Sequence, residues 1–226
     1  MKGILIAIEG SDGSGKATQS RLLCDRLVHE GKNALKIEFP NYNCSSSSMV
    51  KMYLNGEFGN NPEDVSPYVA STFYAVDRYA SYKKAWGIFY NNGGIIIADR
   101  YTPSNMIHQG AKIKDKKEKQ EFLDWLLDFE FGIFGLPVPD YVFFLDMPPE
   151  YSIQLLDSRV ENKDADDAKD IHEKSLEHLT SSYNNGYEIA EFYKWHIIKC
   201  VENGKLRSID EIHNEIYEAV RKKLIK

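Results

Sequence analysis

The sequence predicts an α/β fold, a parallel sheet of five strands flanked by helices on both faces. Three observations lead there. Five short apolar runs, at residues 4–8, 34–39, 95–98, 141–145 and 195–199, are separated by longer stretches of helical character. Strands that alternate with helices pair in parallel and bury both faces of the sheet. The first run leads straight into the glycine-rich turn Gly10-Ser11-Asp12-Gly13-Ser14-Gly15-Lys16, and a helical pattern follows over 18–30. No internal repeat or long linker divides the 226 residues, which read as one domain spanning 1–226.

The turn has the spacing Gly-x4-Gly-Lys between a strand and a helix, the pattern of a phosphate-binding loop. Glycines let backbone amides converge on one point without Cβ clashes, and the positive end of the following helix is directed at the same point. The loop runs over 10–18: Gly10, Ser11, Asp12, Gly13, Ser14, Gly15, Lys16, Ala17 and Thr18. Lys16 can reach the outer phosphates of a nucleoside triphosphate. The residue after the lysine is usually Ser or Thr, whose hydroxyl binds magnesium; here Ala17 stands there and the hydroxyl comes one place later, at Thr18. In the helix, Leu22, Leu23 and Leu27 recur at helical spacing and mark a core face.

The second strand closes on Phe39-Pro40-Asn41-Tyr42, and the polar, Ser-rich segment 41–48 reads as mobile. A helical pattern over 67–90 places Tyr74 and Arg78 four residues apart on one face. That pair could stack on and hydrogen-bond a flat base, or Tyr74 could be core and Arg78 surface. The third strand ends in Asp99-Arg100-Tyr101. Ligands of open α/β sheets bind outside the carboxyl ends of the strands. An aspartate there can hold magnesium-bound water and an arginine can clamp a phosphate bidentately; a surface ion pair is the plainer alternative. His108 reads alone as a packing or solvent residue. The charged run over 161–170 reads equally as a solvated loop or as a lid that closes over a nucleotide. Ser208 and Glu211 form a capping box for a last helix striped by Ile209, Ile212, Ile216, Val220 and Leu224.

Composition narrows the function classes. A net charge of −6 argues against a general nucleic-acid binder, so no nucleic-acid partner is expected. Cys24, Cys44 and Cys200 have no metal-ligand spacing, and a reduced, cytoplasmic setting is the simplest reading. The first apolar stretch runs into the loop rather than a cleavage site, and no apolar run approaches the roughly 20 residues that span a bilayer, so no membrane partner is expected either. No nucleophile–base arrangement is present, which suits phosphoryl transfer, where positioning and charge neutralisation do most of the work.

Together these motifs resemble the thymidylate kinase family, in its bacterial branch among the nucleoside monophosphate kinases. The resemblance is carried by Glu9-Gly10-Ser11-Asp12-Gly13-Ser14-Gly15-Lys16, Phe39-Pro40-Asn41-Tyr42, Tyr74-Ala75-Val76-Asp77-Arg78 and Asp99-Arg100-Tyr101-Thr102-Pro103-Ser104-Asn105. It implies the three-layer P-loop kinase fold with a short lid at about 159–172, ATP as donor, dTMP as acceptor, Mg2+ as cofactor and a homodimer. By the same resemblance, Asp12 meets the acceptor sugar's 3′-hydroxyl and, with Asp99 acting through water, helps place the metal. Arg100 clamps the acceptor phosphate with Phe39 and Tyr42 beside it, Tyr74 stacks on the base (Phe73 if the register slips by one), Arg78 bonds the base edge, and Asn105 and Glu173 lie near the acceptor. His108 stands where the family has Tyr or Phe against the sugar's 2′ carbon.

Two departures bear on catalysis. Gly13 replaces the loop arginine of one family branch, so the catalytic arginine is expected from the lid, where Ile171 occupies a position that can carry it. Arg159 is the favoured replacement, with Lys163 and Lys169 supporting it. The alternatives are a kinase of this fold with another acceptor, such as a deoxynucleoside, or a catalytically weak nucleotide-binding regulator, which Ala17 and Ile171 motivate. A GTPase fits poorly: Asn162-Lys163-Asp164-Ala165 lacks the final aspartate of the guanine-reading motif.

Overall fold

The computed structural model describes residues 2–160 and 176–224, without the side chains of 157–160 and 176. The chain begins with strand β1 (Ile4–Gly10), helix α1 (Lys16–His29) and strand β2 (Ala34–Glu38). Helices α2 (Ser48–Leu54), α3 (Pro67–Ser81) and α4 (Gly87–Asn91) precede β3 (Ile95–Asp99). Then come α5 (Thr102–His108), α6 (Lys116–Leu127), β4 (Tyr141–Asp146), α7 (Pro149–Val160) and α8 (Leu176–Phe192). Strand β5 (His196–Lys199), a hairpin of β6 (Val201–Glu202) and β7 (Lys205–Leu206), and α9 (Ile209–Leu224) complete the order.

Five parallel strands form the sheet in the order β2-β3-β1-β4-β5. All five apolar runs became its strands, to within one or two residues at each end. Successive side chains alternate across it. Ile6, Ile8, Ile95, Ile97, Phe143 and Leu145 face Leu23, Leu27, Ile216 and Val220 of α1 and α9. Leu5, Ala7, Ile96, Ala98 and Val142 face Trp86, Tyr90 and Tyr101 on the other side. With both faces covered, strands read as continuous apolar runs rather than alternating ones, which is why they were legible.

The expected capping box closes: Ser208 N–H donates to Glu211 at 2.8 Å, and Glu211 N–H donates back to the Ser208 hydroxyl at 3.2 Å. Ile209 opens the stripe yet is exposed; the covered face is Ile212, His213, Ile216, Tyr217 and Val220. The 67–90 pattern resolves into α3 and α4 joined by a π-helical turn, Tyr82–Trp86. The Ser-rich segment is more structured than its composition suggests. Buried Asp77 on α3 accepts from the Asn41 amide at 2.8 Å and the Ser46 hydroxyl at 2.6 Å, and Ser45–Ser47 form a 3-10 turn. Cys24, Cys44 and Cys200 are free thiols, and among the described residues no helix is long and apolar enough to cross a membrane.

Candidate active site

β1 and β3 are neighbours in register, Ile8 opposite Asp99. The chain leaving β1 and the chain leaving β3 therefore emerge side by side at the carboxyl edge, where the strand order places a crevice. A cavity of about 360 Å³ opens there, within the usual range for small-molecule sites. Its wall includes Asp12, Phe39, Tyr42, Tyr74, Arg78, Asp99, Arg100, Asn105 and His108. Every described residue assigned by sequence to the acceptor thus lies on one cavity. Arg159 belongs to α7 but its side chain is not described, and Lys163, Lys169 and Glu173 lie outside the described residues. Tyr74, not Phe73, lines the cavity; Phe73 packs on Tyr53 and Phe58.

The glycine-rich loop is tightly held. Gly13 (φ +81) sits under the first turn of α7, where a Cβ would meet the Ser152 carbonyl oxygen at 2.4 Å. A loop arginine at this position has no room. Gly15 (φ +93) starts α1, whose amino end has no side-chain cap, leaving its amides to an anion. Lys16 is buried and its ammonium donates to the Ser11 carbonyl at 2.6 Å, with Asp12 at 3.7 Å. Burial first and the Arg100 charge second push the Lys16 amine down to about 8. Ala17 is exposed and Thr18 partly so.

Arg100 is the hub of the cavity. It occupies the left-handed region at φ +66, a conformation that costs a non-glycine residue about 1–3 kcal/mol and concentrates at functional sites. Its guanidinium pairs with Asp12 across the two strand ends. Nη1 also lies 3.4 Å from the Ser104 hydroxyl and 3.0 Å from His108 Nε2. Burial would lower the Arg100 pKa, but Asp12, Glu9 and Asp99 outweigh it and hold the guanidinium charged.

Three functional contacts escaped the sequence reading. Glu9, wholly buried behind the loop, accepts from the Tyr101 amide at 2.8 Å and the Ser104 hydroxyl at 2.5 Å. Burial pushes its carboxyl up to about 7. Glu130 binds Arg78 bidentately, so Arg78 is neither surface nor free in the cavity: two of its nitrogens are committed. His178 stacks on His108 with ring centroids 6.1 Å apart. Each joins residues far apart in sequence; the local spacing covers only Ser104 and His108, four apart on α5, while Arg100 lies outside that helix with φ +66.

A family model described as thymidylate kinase matches residues 8–216. The chain belongs to the thymidylate kinase family. Among its relatives are a probable thymidylate kinase of Thermococcus onnurineus, 28% identical over 227 residues and covering 99% of this chain and 100% of that one. A thymidylate kinase of Mycobacterium tuberculosis is 29% identical over 175 residues, 77% of this chain and 79% of that one. A solved thymidylate kinase structure from Candida albicans superposes with a TM-score of 0.71 over 98% of this chain and 92% of that one, at 22% identity, and shares its fold. Archaeal, bacterial and eukaryotic relatives all match, so the comparisons assign the family and not its bacterial branch.

Proposed function

We propose that the protein is a dTMP kinase, transferring the γ-phosphoryl group of ATP to dTMP to give dTDP and ADP. The observation that carries this is the pairing of Asp12 from the phosphate loop with Arg100 from the end of β3, on one cavity that also holds Tyr74 and Arg78. One loop thereby serves donor and acceptor. A dTMP phosphate oxygen attacks the γ-phosphorus, and the bond to the oxygen bridging the β-phosphate breaks. The attacking oxygen is already anionic, so no general base is needed. Repulsion between two anionic substrates is the barrier, and fixed cations and loop amides relieve it.

In that reading Lys16 and the amides of residues 10–18 hold the ATP phosphates, and Arg100 clamps the acceptor phosphate beside Phe39 and Tyr42. Tyr74 stacks on thymine, while the Arg78 nitrogen not committed to Glu130 reads the base edge. Asn105 lies near the base and His108 lines the sugar side. Among the described residues no cluster of three metal-ligating side chains exists. Magnesium commonly takes one or two carboxylates, with phosphate oxygens and water completing its octahedron; Asp12 and Asp99 suit that pattern. When bound, it would neutralise charge on the transferring phosphates.

Arg159, with Lys163 and Lys169, supplies the remaining cation from a lid at 159–172, with Glu173 near the acceptor. The crowding at Gly13 supports this lid-arginine, bacterial-type assignment, because the loop has no space for the side chain. A homodimer built on α3 is supported by its exposed Val69, Val76 and Tyr79, and a cytoplasmic setting by the three free thiols. The test is coupled ADP production with dTMP, dUMP, UMP, CMP and AMP as acceptors. dTMP should be preferred; silence with dTMP beside good turnover of another acceptor sinks the assignment.

A further inference from the structure

We infer that His108 is the positioning residue for Arg100: its Nε2 accepts from the guanidinium and fixes the direction in which Arg100 meets the acceptor phosphate. This rests on the clamp role of Arg100 proposed above. A guanidinium has five donors and no acceptor. The 3.0 Å contact between Arg100 Nη1 and His108 Nε2 therefore requires a lone pair on Nε2, which puts the proton of a neutral ring on Nδ1.

The contact matters because of where the other restraints lie. Asp12 holds Nη2 from the phosphate-loop side. On the Nη1 side the Ser104 hydroxyl, which donates its proton to Glu9 at 2.5 Å, can still accept from Arg100, but at 3.4 Å that contact is long. His108 supplies the short Nη1 contact. A planar fork gripped at both terminal nitrogens cannot swivel about its own bond, which is what bidentate phosphate recognition demands.

The imidazole is itself immobilised. It is 8% exposed and stacks on His178 of α8 at 27° between planes. His178 lies 3.3 Å from the Ser182 hydroxyl. Asn185, one turn further along α8, donates to the Met106 and Ile107 carbonyls at 3.0 and 2.7 Å, tying α8 to α5 just before His108. The orientation of the arginine is thus set by the docking of α8 on α5, remote from the strand end that carries it.

Two variants separate positioning from simple packing. His108→Phe keeps a flat ring and removes the acceptor; His108→Gln gives up the ring but carries an acceptor oxygen at similar reach. Positioning predicts that His108→Phe lowers kcat/KM for dTMP by roughly 10- to 100-fold, with KM for ATP little changed, and that His108→Gln recovers most of the loss. Wild-type kinetics in His108→Phe, or a His108→Gln as impaired as His108→Phe, overturns it. Nitrogen-15 NMR of histidine-labelled protein reads the contact without turnover. His108 should be the Nδ1–H tautomer in the wild type and lose that preference in Arg100→Ala; an Nε2–H tautomer in the wild type overturns the inference even if His108→Phe fails to fold. A wild type inactive on dTMP would sink the proposed function, and the tautomer would then decide this contact by itself.

Discussion

Glu130 grips Arg78 with both carboxylate oxygens. Arg78 Nε donates to Oε2 and Nη2 to Oε1, each at 2.6 Å, with Arg78 1% exposed and Glu130 fully buried. The Thr102 hydroxyl donates to Oε2 at 2.9 Å. Burial would lower the Arg78 pKa; the facing carboxylate outweighs it and raises it. The pair fixes Arg78 in the cavity wall and joins α3 to the π-helical turn Asp128–Ile133.

Removing one partner strands the other's charge out of water. Glu130→Ala should therefore destabilise the fold by about 3–5 kcal/mol, read from urea unfolding. Glu130→Gln should cost less and should raise KM for dTMP. A Glu130→Ala variant as stable as wild type would mean that water reaches Arg78.

Arg100→Ala should reduce kcat/KM for dTMP by on the order of 10³ or more, the scale seen when a phosphoryl-transfer enzyme loses an arginine on the reacting groups. Arg100→Lys should recover little, since an ammonium cannot reach Asp12 and His108 together as a planar fork. Turnover near wild type in Arg100→Ala removes its assigned role.

Two buried groups should pull stability in opposite directions with pH. Glu9 titrates at about 7 in the fold against 4.5 when exposed, raised by burial. Between those values the folded protein holds the extra proton, so stability falls as pH rises; Glu9→Gln should abolish that slope. His178 titrates at about 4 against 6.5, lowered by burial and by Lys112. There the unfolded chain takes the proton first, so stability falls as pH drops from 6.5 towards 4, and His178→Gln should flatten it. The windows overlap and partly cancel in the wild type, so the single variants must be compared by urea unfolding across pH 4 to 8. A wild-type-like profile in either variant refutes its assignment.

Gly13→Ala and Gly15→Ala make a paired test. Both glycines have positive φ, +81 and +93, so both variants strain the backbone. Only at Gly13 does the new Cβ strike main chain, the Ser152 oxygen at 2.4 Å; at Gly15 nothing lies within 4 Å. Gly13→Ala should lose more stability, by at least about 1 kcal/mol beyond Gly15→Ala. Equal melting temperatures would mean that α7 does not rest on the loop.

The strands and the helices that cover them were legible because their signals are local. Residues 4–8 and 95–98 are continuous apolar runs, since both faces of a parallel strand are buried. The Ser208–Glu211 box and the glycine-rich turn act within a few residues. Contacts over distance were not legible. Nothing near Arg78 announces Glu130, which lies 52 residues away, and the polar 41–48 segment gave no hint that Asp77 would hold it.

The sequence by itself determined the architecture and the phosphate loop, because these are encoded by periodicity, capping or a short motif, whereas most residues of the acceptor cavity were identified through the resemblance to a family. Tertiary structure alone decided their partnerships: Arg100 with Asp12 across 88 residues, Arg100 with His108, His108 with His178, and Gly13 under Ser152. The physical reason is that charge pairing and steric fit depend on which chain segments the sheet brings side by side. The order β2-β3-β1-β4-β5, with β1 beside β3, makes that selection.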